Sequence, residues 1–170
     1  MSLSFKRICL FMLPLMCIVQ SCGIYSFSGA SIPAEMKTVS VQFFENNAPL
    51  VVPYLSQQFT EALKDRIRTQ TRLSMVRTTG DANFEGRITD YSIRPVAVEA
   101  NEVQRASMNR LSITISVKYT NSLKPELSFE QSFSRSVDFP GSIQSEESKR
   151  ITEVNKMLTE DIFNRAFANW

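Results

Sequence analysis

Cys22 is the residue of this chain with the clearest chemistry. It ends the segment Val19 to Cys22, "VQSC", and Gly23 follows it. This pattern resembles a bacterial lipobox, in which the cysteine sulfur receives lipid before the preceding peptide is removed. Removal would also take away the other two cysteines, Cys9 and Cys17. The processed chain would then have no thiol pair for a disulfide, so the cysteine count favours a lipid attached to Cys22. The alternative is a free structural cysteine.

The segment before Cys22 has the three parts of a secretory signal. Lys6 and Arg7 make a basic start, Ile8 to Val19 is apolar, and small residues follow. The apolar part is shorter than the roughly 20 residues that a membrane-spanning helix needs. We therefore predict a lipoprotein signal peptide at residues 1–21 and a lipidated N-terminus and tether at residues 22–36. The alternative for the apolar part is a buried N-terminal strand or helix.

The residues after Cys22 indicate where the anchored protein would reside. Gly23 to Pro33 is rich in glycine, serine and alanine, which suits a flexible tether. No aspartate follows the cysteine to retain the protein at an inner membrane, and no acidic run follows of the kind that marks surface-exported lipoproteins. Two or more acyl chains hold a protein stably in a bilayer. These features predict a lipid-anchored protein on the periplasmic side of an outer membrane.

The composition offers little for catalysis or for nucleic-acid binding. The chain contains no histidine, which removes Ser-His and Cys-His nucleophiles and the usual zinc sites. Its five glycines are scattered, so no phosphate-binding glycine motif forms. The signal takes two of the 19 basic residues and none of the 17 acidic ones, so the processed chain is formally neutral, unlike a typical nucleic-acid binder. We expect no enzyme activity, no cofactor and no metal.

A pair of carboxylates is the one catalytic arrangement that remains open. Such a pair hydrolyses glycosides when its two acids flank a sugar. The candidates lie in predicted strands and loops, where acids are usually solvated. They are Glu85, Asp90, Glu99 and Glu102.

The segment Ser92 to Arg110 is the candidate binding region. It joins two predicted strands and contains Arg94, Arg105 and Arg110. Arginine's planar guanidinium suits phosphate and carboxylate groups, and loops held by a rigid scaffold often carry binding residues. The alternative is an ordinary long hairpin whose arginines are solvated.

Hydrophobic periodicity predicts the elements that position these residues. Strands are expected at Lys37 to Glu45, Arg72 to Arg77, Ala82 to Ile93, Leu111 to Tyr119 and Leu127 to Phe139. In the first strand we expect Val39, Val41 and Phe43 to point inward. Pro95 indicates an edge position or a bend, since it cannot donate to a strand ladder.

Apolar residues spaced at three and four predict two amphipathic helices. One begins near Pro53, and the other begins near Ser145 as N-cap and runs towards Trp170. The order β-α-β-β-β-β-α predicts an α+β domain at residues 37–170, with both helices on one face of a four- to five-stranded mixed sheet. The opposite face would be polar, with little net charge.

The stretch Ser21 to Ile67 resembles the lipopolysaccharide-assembly lipoproteins of the LptE family in their Bacteroidetes form. The matching features are "CGIYSF", the "IP" pair, "FFEN" and "QQFTEALKD", and "DANFEGRITDY" fits as well. The resemblance implies two helices on one mixed sheet and a protein that plugs a large outer-membrane β-barrel, the LptD translocon. It also implies assistance in barrel assembly and direct binding of lipopolysaccharide. The competing interpretations are a periplasmic carboxylate-dependent carbohydrate hydrolase and a structural envelope lipoprotein with another partner.

Overall fold

The computed structural model describes residues 32–96 and 108–168, which form two α-helices and a six-stranded mixed sheet. In chain order the elements are β1 (Thr38–Val41), β2 (Glu45–Asn46), α1 (Leu55–Gln70), β3 (Ser74–Met75), β4 (Ala82–Val96), β5 (Met108–Asn121), β6 (Phe129–Pro140) and α2 (Glu147–Phe167). The predicted α+β class is confirmed. The sheet has six strands rather than four or five, because the first predicted strand is divided into β1 and β2.

The sheet combines a parallel part and an antiparallel part. Its order is β3-β1-β4-β5-β6, with β2 also beside β4. β1 runs parallel to β3 and β4, and β2 runs parallel to β4. β4, β5 and β6 form an antiparallel meander with one register shift, between Ile88 and Asp90. The two long strands β4 and β5 therefore carry most of the sheet.

The central strand β5 follows its predicted alternation. Its apolar residues are fully or almost fully buried and face the helices: Leu111, Ile113, Ile115, Val117 and Tyr119. The intervening residues are polar and lie on the other face. Burial of one such apolar side chain contributes about 1.5–3 kcal/mol, so this strand anchors the core.

The two helices lie on the same face of the sheet and run parallel to each other. Tyr54, just before α1, bonds to Glu147 at the start of α2, and Arg66 further along α1 bonds to Thr159 of α2. The separation is 93 residues in both pairs, which requires the same direction for both helices. No helix in the described residues is long and apolar enough to cross a membrane.

The prediction for Phe43 is wrong. β1 ends at Val41, and the alternation does not continue through residues 42–44. Phe43 is exposed, whereas Phe44 is fully buried and packs edge-on against Phe59 with ring centroids 5.0 Å apart. A Cβ on Gly86 would lie 2.5 Å from the Phe44 ring, so this glycine provides the space that the ring fills.

Two element ends also differ from prediction. Leu127 belongs to a 3-10 helix, Pro125–Leu127, and β6 begins two residues later at Phe129. The N-cap position of α2 is occupied by Glu146 rather than Ser145, because Ile143–Ser145 forms another 3-10 helix. Glu147 lies in the first turn of α2, where a carboxylate is favoured by the helix dipole.

Candidate functional site

The face of the sheet opposite the helices carries a regular array of polar side chains, which we call the polar face. Adjacent residues of β4, β5 and β6 form rows across it: Ser92, Ser112 and Ser136; Asp90, Thr114 and Ser134; Arg87, Ser116 and Ser132. The Thr114 hydroxyl donates to Ser134 Oγ at 3.0 Å. A polar face with little net charge was predicted, and the strand register shows that hydroxyl groups dominate its centre.

Two of the three predicted arginines meet at one end of the polar face. Arg94 of β4 lies directly opposite Arg110 of β5, and Asp138 of β6 lies opposite Arg110 on the other side. Like charges directly opposite each other on a sheet repel. The third arginine, Arg105, is outside the described residues, as is Cys22.

Asp138 holds one of the two arginines in place. Arg110 Nε and Nη2 donate to the two Asp138 carboxylate oxygens at 2.6 and 2.8 Å. This pairing raises the pKa of Arg110 and lowers the pKa of Asp138. Within residues 32–96 and 108–168, no salt bridge or hydrogen bond from the Arg94 guanidinium is present. Arg94 is exposed at this end of the polar face, whereas Arg110 is paired with Asp138.

A shallow groove of about 490 Å³ lies beside the arginine pair. Its lining combines two arginines, one aspartate, four hydroxyl side chains and two apolar residues: Arg94, Arg110, Asp90, Ser92, Ser112, Thr114, Ser134, Pro95 and Val96. Guanidinium and hydroxyl groups together can donate several hydrogen bonds to an anionic oxygen. The groove can thus bind an anionic, hydroxyl-rich ligand.

The structure describes two of the four candidate carboxylates, Asp90 and Glu85, and these two lie apart. Asp90 is the one carboxylate among the described residues that line the groove, and it accepts a hydrogen bond from the Ser92 hydroxyl at 3.1 Å. Glu85 is exposed and lies 3.9 Å from Lys118, away from the groove lining. Glu99 and Glu102 are outside the described residues. Among the described residues there is no cluster of three acidic, histidine or cysteine residues that could hold a metal ion.

Glu147 has a structural role that the sequence did not reveal. Its two carboxylate oxygens accept hydrogen bonds from the Tyr91 hydroxyl at 2.7 Å and the Tyr54 hydroxyl at 2.9 Å. Burial and then the bond to Glu147 raise the pKa of both tyrosines. This carboxylate joins β4 to the starts of both helices. No local sequence signal relates the three residues, because they come from distant segments.

The fold and the polar face together define the structural class of this domain. Two parallel helices cover one face of a mixed sheet, and the other face is a polar surface whose groove is lined, among the described residues, by two arginines, one aspartate and several hydroxyl groups. This is a two-layer α+β domain with its helices on one face of the sheet and a polar opposite face.

The comparisons with known proteins give the family. Residues 36–166 match the LptE family, described as lipopolysaccharide-assembly, and the chain belongs to this family. The predicted recognition is therefore confirmed, and the protein is an envelope lipoprotein of lipopolysaccharide assembly. The family is non-enzymatic, so the hydrolase interpretation is discarded. A search of curated proteins finds no match.

Solved structures of distant sequence share the fold. A hypothetical protein from Chlamydia trachomatis is 10% identical with a TM-score of 0.53, over 76% of this chain and 94% of that chain. A homolog of a neuraminyllactose-binding hemagglutinin from Helicobacter pylori is 12% identical with a TM-score of 0.50, over 82% of this chain and 88% of that chain. At such low identity these likenesses concern the fold alone.

Proposed function

We propose that this protein is a lipid-anchored outer-membrane component of the lipopolysaccharide translocon. It plugs the lumen of an LptD-like β-barrel, assists the assembly of that barrel and binds lipopolysaccharide. The observation that carries the proposal is the groove at the Arg94–Arg110 end of the polar face. Membership of a lipopolysaccharide-assembly family supplies the ligand class.

The chemistry of the groove suits the polar part of lipopolysaccharide. That part of the molecule presents phosphate and carboxylate groups among sugar hydroxyls. Arg94 and Arg110 would pair with the anionic groups, and Ser92, Ser112 and Thr114 would bond to hydroxyl oxygens. We include Arg105 among the contacts from its position in the sequence between these arginines.

The polar face also suits a barrel lumen. The interior wall of a large outer-membrane barrel is polar, and its strands alternate apolar and polar residues. The serine and threonine hydroxyls at the centre of the polar face can form hydrogen bonds with such a wall. The formal neutrality of the processed chain likewise avoids strong repulsion from either sign of charge.

The N-terminus supplies the anchor in this proposal. The signal peptide occupies residues 1–21, lipid is attached to Cys22, and residues 22–36 form the tether to a single domain at residues 37–170. The last part of the tether joins the domain, since Ile32 packs against the core and Met36 is buried.

The anchor is tested by replacing Cys22 with serine. The Cys22→Ser variant should appear in the soluble fraction, whereas the unaltered protein should stay in the membrane pellet after a carbonate wash. A Cys17→Ser variant is the matched control and should stay in the pellet, because residue 17 leaves with the signal. Retention of Cys22→Ser in the washed pellet after mass spectrometry has shown that residues 1–21 are removed would refute lipid attachment at this residue.

Ligand binding is tested by removing charge from the groove. Arg94→Gln and Arg110→Gln should each weaken lipopolysaccharide binding about tenfold, since each removes a charge-assisted hydrogen bond. Arg135→Gln is a matched control. Arg135 forms an equivalent two-bond pair with Asp161, at 2.5 and 2.7 Å, but lies on the helix-facing side of β6.

The result distinguishes a specific groove from general charge attraction. Equal losses in Arg94→Gln and Arg135→Gln would attribute the effect to net charge, and unchanged binding of Arg94→Gln at several salt concentrations would dismiss the groove. Arg105→Gln tests the third arginine in the same titration, and we expect a loss of similar size.

The barrel partner is tested by affinity purification of the tagged protein from outer membranes. An LptD-like β-barrel should co-purify in a 1:1 ratio. Recovery of another envelope protein without the barrel would favour the alternative of a structural lipoprotein with a different partner.

A further inference from the structure

Asp90 is the acidic residue of the groove, and the contacts proposed above leave it without a role. It is half-buried and lines the groove together with Arg94 and Arg110. Its carboxylate accepts a hydrogen bond from the Ser92 hydroxyl at 3.1 Å, and within residues 32–96 and 108–168 it forms no salt bridge. Because an ionised carboxylate has about four acceptor positions, Asp90 can accept further hydrogen bonds from a ligand.

A β-bulge places Asp90 on the polar face. Ile88 is fully buried and lies opposite Ile115, on the face that the helices cover. Strict alternation would return Thr89 to the polar face and turn Asp90 towards the helices. The register instead shifts between Ile88 and Asp90, so that Asp90 lies opposite Thr114. Such bulges interrupt the strand ladder and often direct a side chain towards a functional site, which indicates a role for this carboxylate.

The groove therefore has two ends of opposite charge. At one end, Asp138 pairs with Arg110, so the excess positive charge of this row belongs to Arg94. Asp90 lies two rows away along β4, with a row of serines between. At about 3.3 Å per residue, the backbone positions of Arg94 and Asp90 are roughly 13 Å apart. A ligand that fills the groove would contact a cationic end, a row of hydroxyls and an acidic end.

This charge distribution restricts the kind of ligand that fits. An ionised carboxylate accepts hydrogen bonds and repels other anions, so Asp90 favours hydroxyl donors and disfavours phosphate or carboxylate beside it. The arginine end favours an anionic group. A sugar chain that carries its anionic group on one ring and free hydroxyls on the next meets both requirements. A ligand that is anionic along its whole length would place charge against Asp90, and a single phosphate ion is too short to contact both ends.

We propose that Asp90 is the specificity-determining residue of the groove. Its carboxylate accepts hydrogen bonds from the hydroxyl groups of a neutral sugar ring, while Arg94 and Arg110 hold the anionic group of a neighbouring ring. This inference rests on the proposed function, which supplies the sugar part of lipopolysaccharide as the ligand. It fixes the direction in which the sugar chain lies along β4, and it excludes ligands that are anionic throughout.

The first experiment compares two probes by calorimetric titration of the full-length lipidated protein in detergent. One probe is deacylated lipopolysaccharide glycan, and the other is inorganic pyrophosphate, an anion without a sugar. Asp90→Asn should weaken glycan binding about tenfold, because it removes a charge-assisted hydrogen bond. The same change should strengthen pyrophosphate binding, because it removes the repulsion between the carboxylate and the anion. A residue that acted only through its charge would instead strengthen the binding of both probes when neutralised.

Two further variants control this comparison. Glu85→Gln makes the same charge change on the polar face of β4 but outside the groove lining, and it should leave the binding of both probes unchanged. Asp90→Glu keeps the carboxylate and should bind the glycan more tightly than Asp90→Asn does. Thermal unfolding should give the same melting temperature for the unaltered protein and Asp90→Asn, so that a loss of binding is not a loss of folded protein.

The second experiment identifies the anionic group and separates the two ends of the groove. It uses the untreated glycan, a glycan from which phosphate has been removed, and a glycan whose carboxylates have been reduced to alcohols. Arg94→Gln should weaken binding of the untreated glycan and should have no effect on the treated glycan that lacks the group held by the arginines. Asp90→Asn should weaken the binding of all three by similar factors, because its hydroxyl partners are present in each.

The outcomes separate this inference from the proposed function. If Asp90→Asn binds the glycan as tightly as the unaltered protein or more tightly, the role of Asp90 is overturned and the translocon role stands. Binding of intact lipopolysaccharide without binding of the deacylated glycan would also overturn it, since the ligand would then be held by its lipid part. If the unaltered protein binds neither intact lipopolysaccharide nor the glycan, the proposed function itself fails.

Discussion

The two ends of β4 carry similar polar groups but use them differently. At the first end, Asp81 accepts hydrogen bonds from the Lys37 amide, the Thr38 amide and the Thr38 hydroxyl, at 2.8 to 2.9 Å. Close by, the side chain of Asn83 bonds to Ser40 and to both backbone groups of Gly80. At the far end, Arg94 faces solvent beside the groove, and the backbone edge has no described partner strand.

Residues that stabilise the fold and residues that are available to a ligand therefore lie at different ends of β4. Polar groups that are fully paired within the chain join β1, β4 and the turn before β4, and their loss leaves buried groups without partners. Polar groups that face solvent add little to stability but remain available to a ligand. We therefore expect substitutions at the first end to unfold the protein and those at the far end to change only binding.

The largest effect on the free energy of unfolding should come from substituting Gly86, which lies in β4 between the two ends. A Cβ there would lie 2.2 Å from the Ser116 carbonyl oxygen and 2.5 Å from the Phe44 ring. Gly86→Ala should therefore lower the free energy of unfolding by more than the roughly 1–3 kcal/mol typical of overpacked cores. Urea denaturation measures this. Gly141→Ala, at a positive φ of 73° but with open space around it, is the control and should cost about 1 kcal/mol.

Asn83→Ala should have the second-largest effect on the free energy of unfolding. The change removes three hydrogen bonds in a buried site and leaves the Ser40 hydroxyl and the Gly80 amide unpaired, at a cost of roughly 2–4 kcal/mol. Asn109→Ala is the matched control at the far end, where the side chain has one exposed bond to Gly141. Equal destabilisation by the two substitutions would contradict the distinction between the ends.

Asp81→Asn should change the response to acid. The hydrogen bonds from the Lys37 and Thr38 amides and the Thr38 hydroxyl hold the pKa of Asp81 below its usual range. The ionised carboxylate therefore stabilises the fold above the unfolded-state pKa of about 3.9, and this contribution is lost as the pH falls through the lower folded-state pKa.

The check is a series of urea denaturations from pH 7 to pH 2. Asp81→Asn should be less stable than the unaltered protein at pH 7, and the two should converge below about pH 4. A difference that stays constant over this range would show that the charge of Asp81 is not what stabilises the turn. Asp90→Asn, at the far end, should alter stability at pH 7 by no more than about 0.5 kcal/mol.

Arg94→Gln should have the smallest effect on folding. Its side chain is exposed, so the free energy of unfolding should change by no more than about 0.5 kcal/mol, while lipopolysaccharide binding weakens. Thermal unfolding and a binding titration on the same preparation make the comparison. A marked loss of stability would mean that the arginine serves the fold rather than the ligand.

Much of the fold could be predicted, because hydrophobic periodicity is local. The alternation in β5 and the three- and four-residue spacing in both helices record which side chains are buried, and the structure confirms these elements. The prediction failed at Phe43 and Phe44, where the alternation ends and the packing against Gly86 and Phe59 decides which ring is buried.

Less of the site could be predicted. The arginine-rich segment indicated Arg94 and Arg110, but nothing in the sequence pointed to Asp138 or to the serine rows. These depend on the register of three strands, and a shift of one residue would have moved every side chain to the opposite face.

The sequence by itself determined the kinds of elements, their order, the polar character of one sheet face and the family resemblance. Only the tertiary structure decided that the helices run parallel, that Arg94 lies opposite Arg110, and that Asp138 pairs with Arg110 from the neighbouring strand. The physical reason is that these features arise from pairings between distant segments. The free energy of such pairings depends on packing across the whole domain, and no short pattern of residues records it.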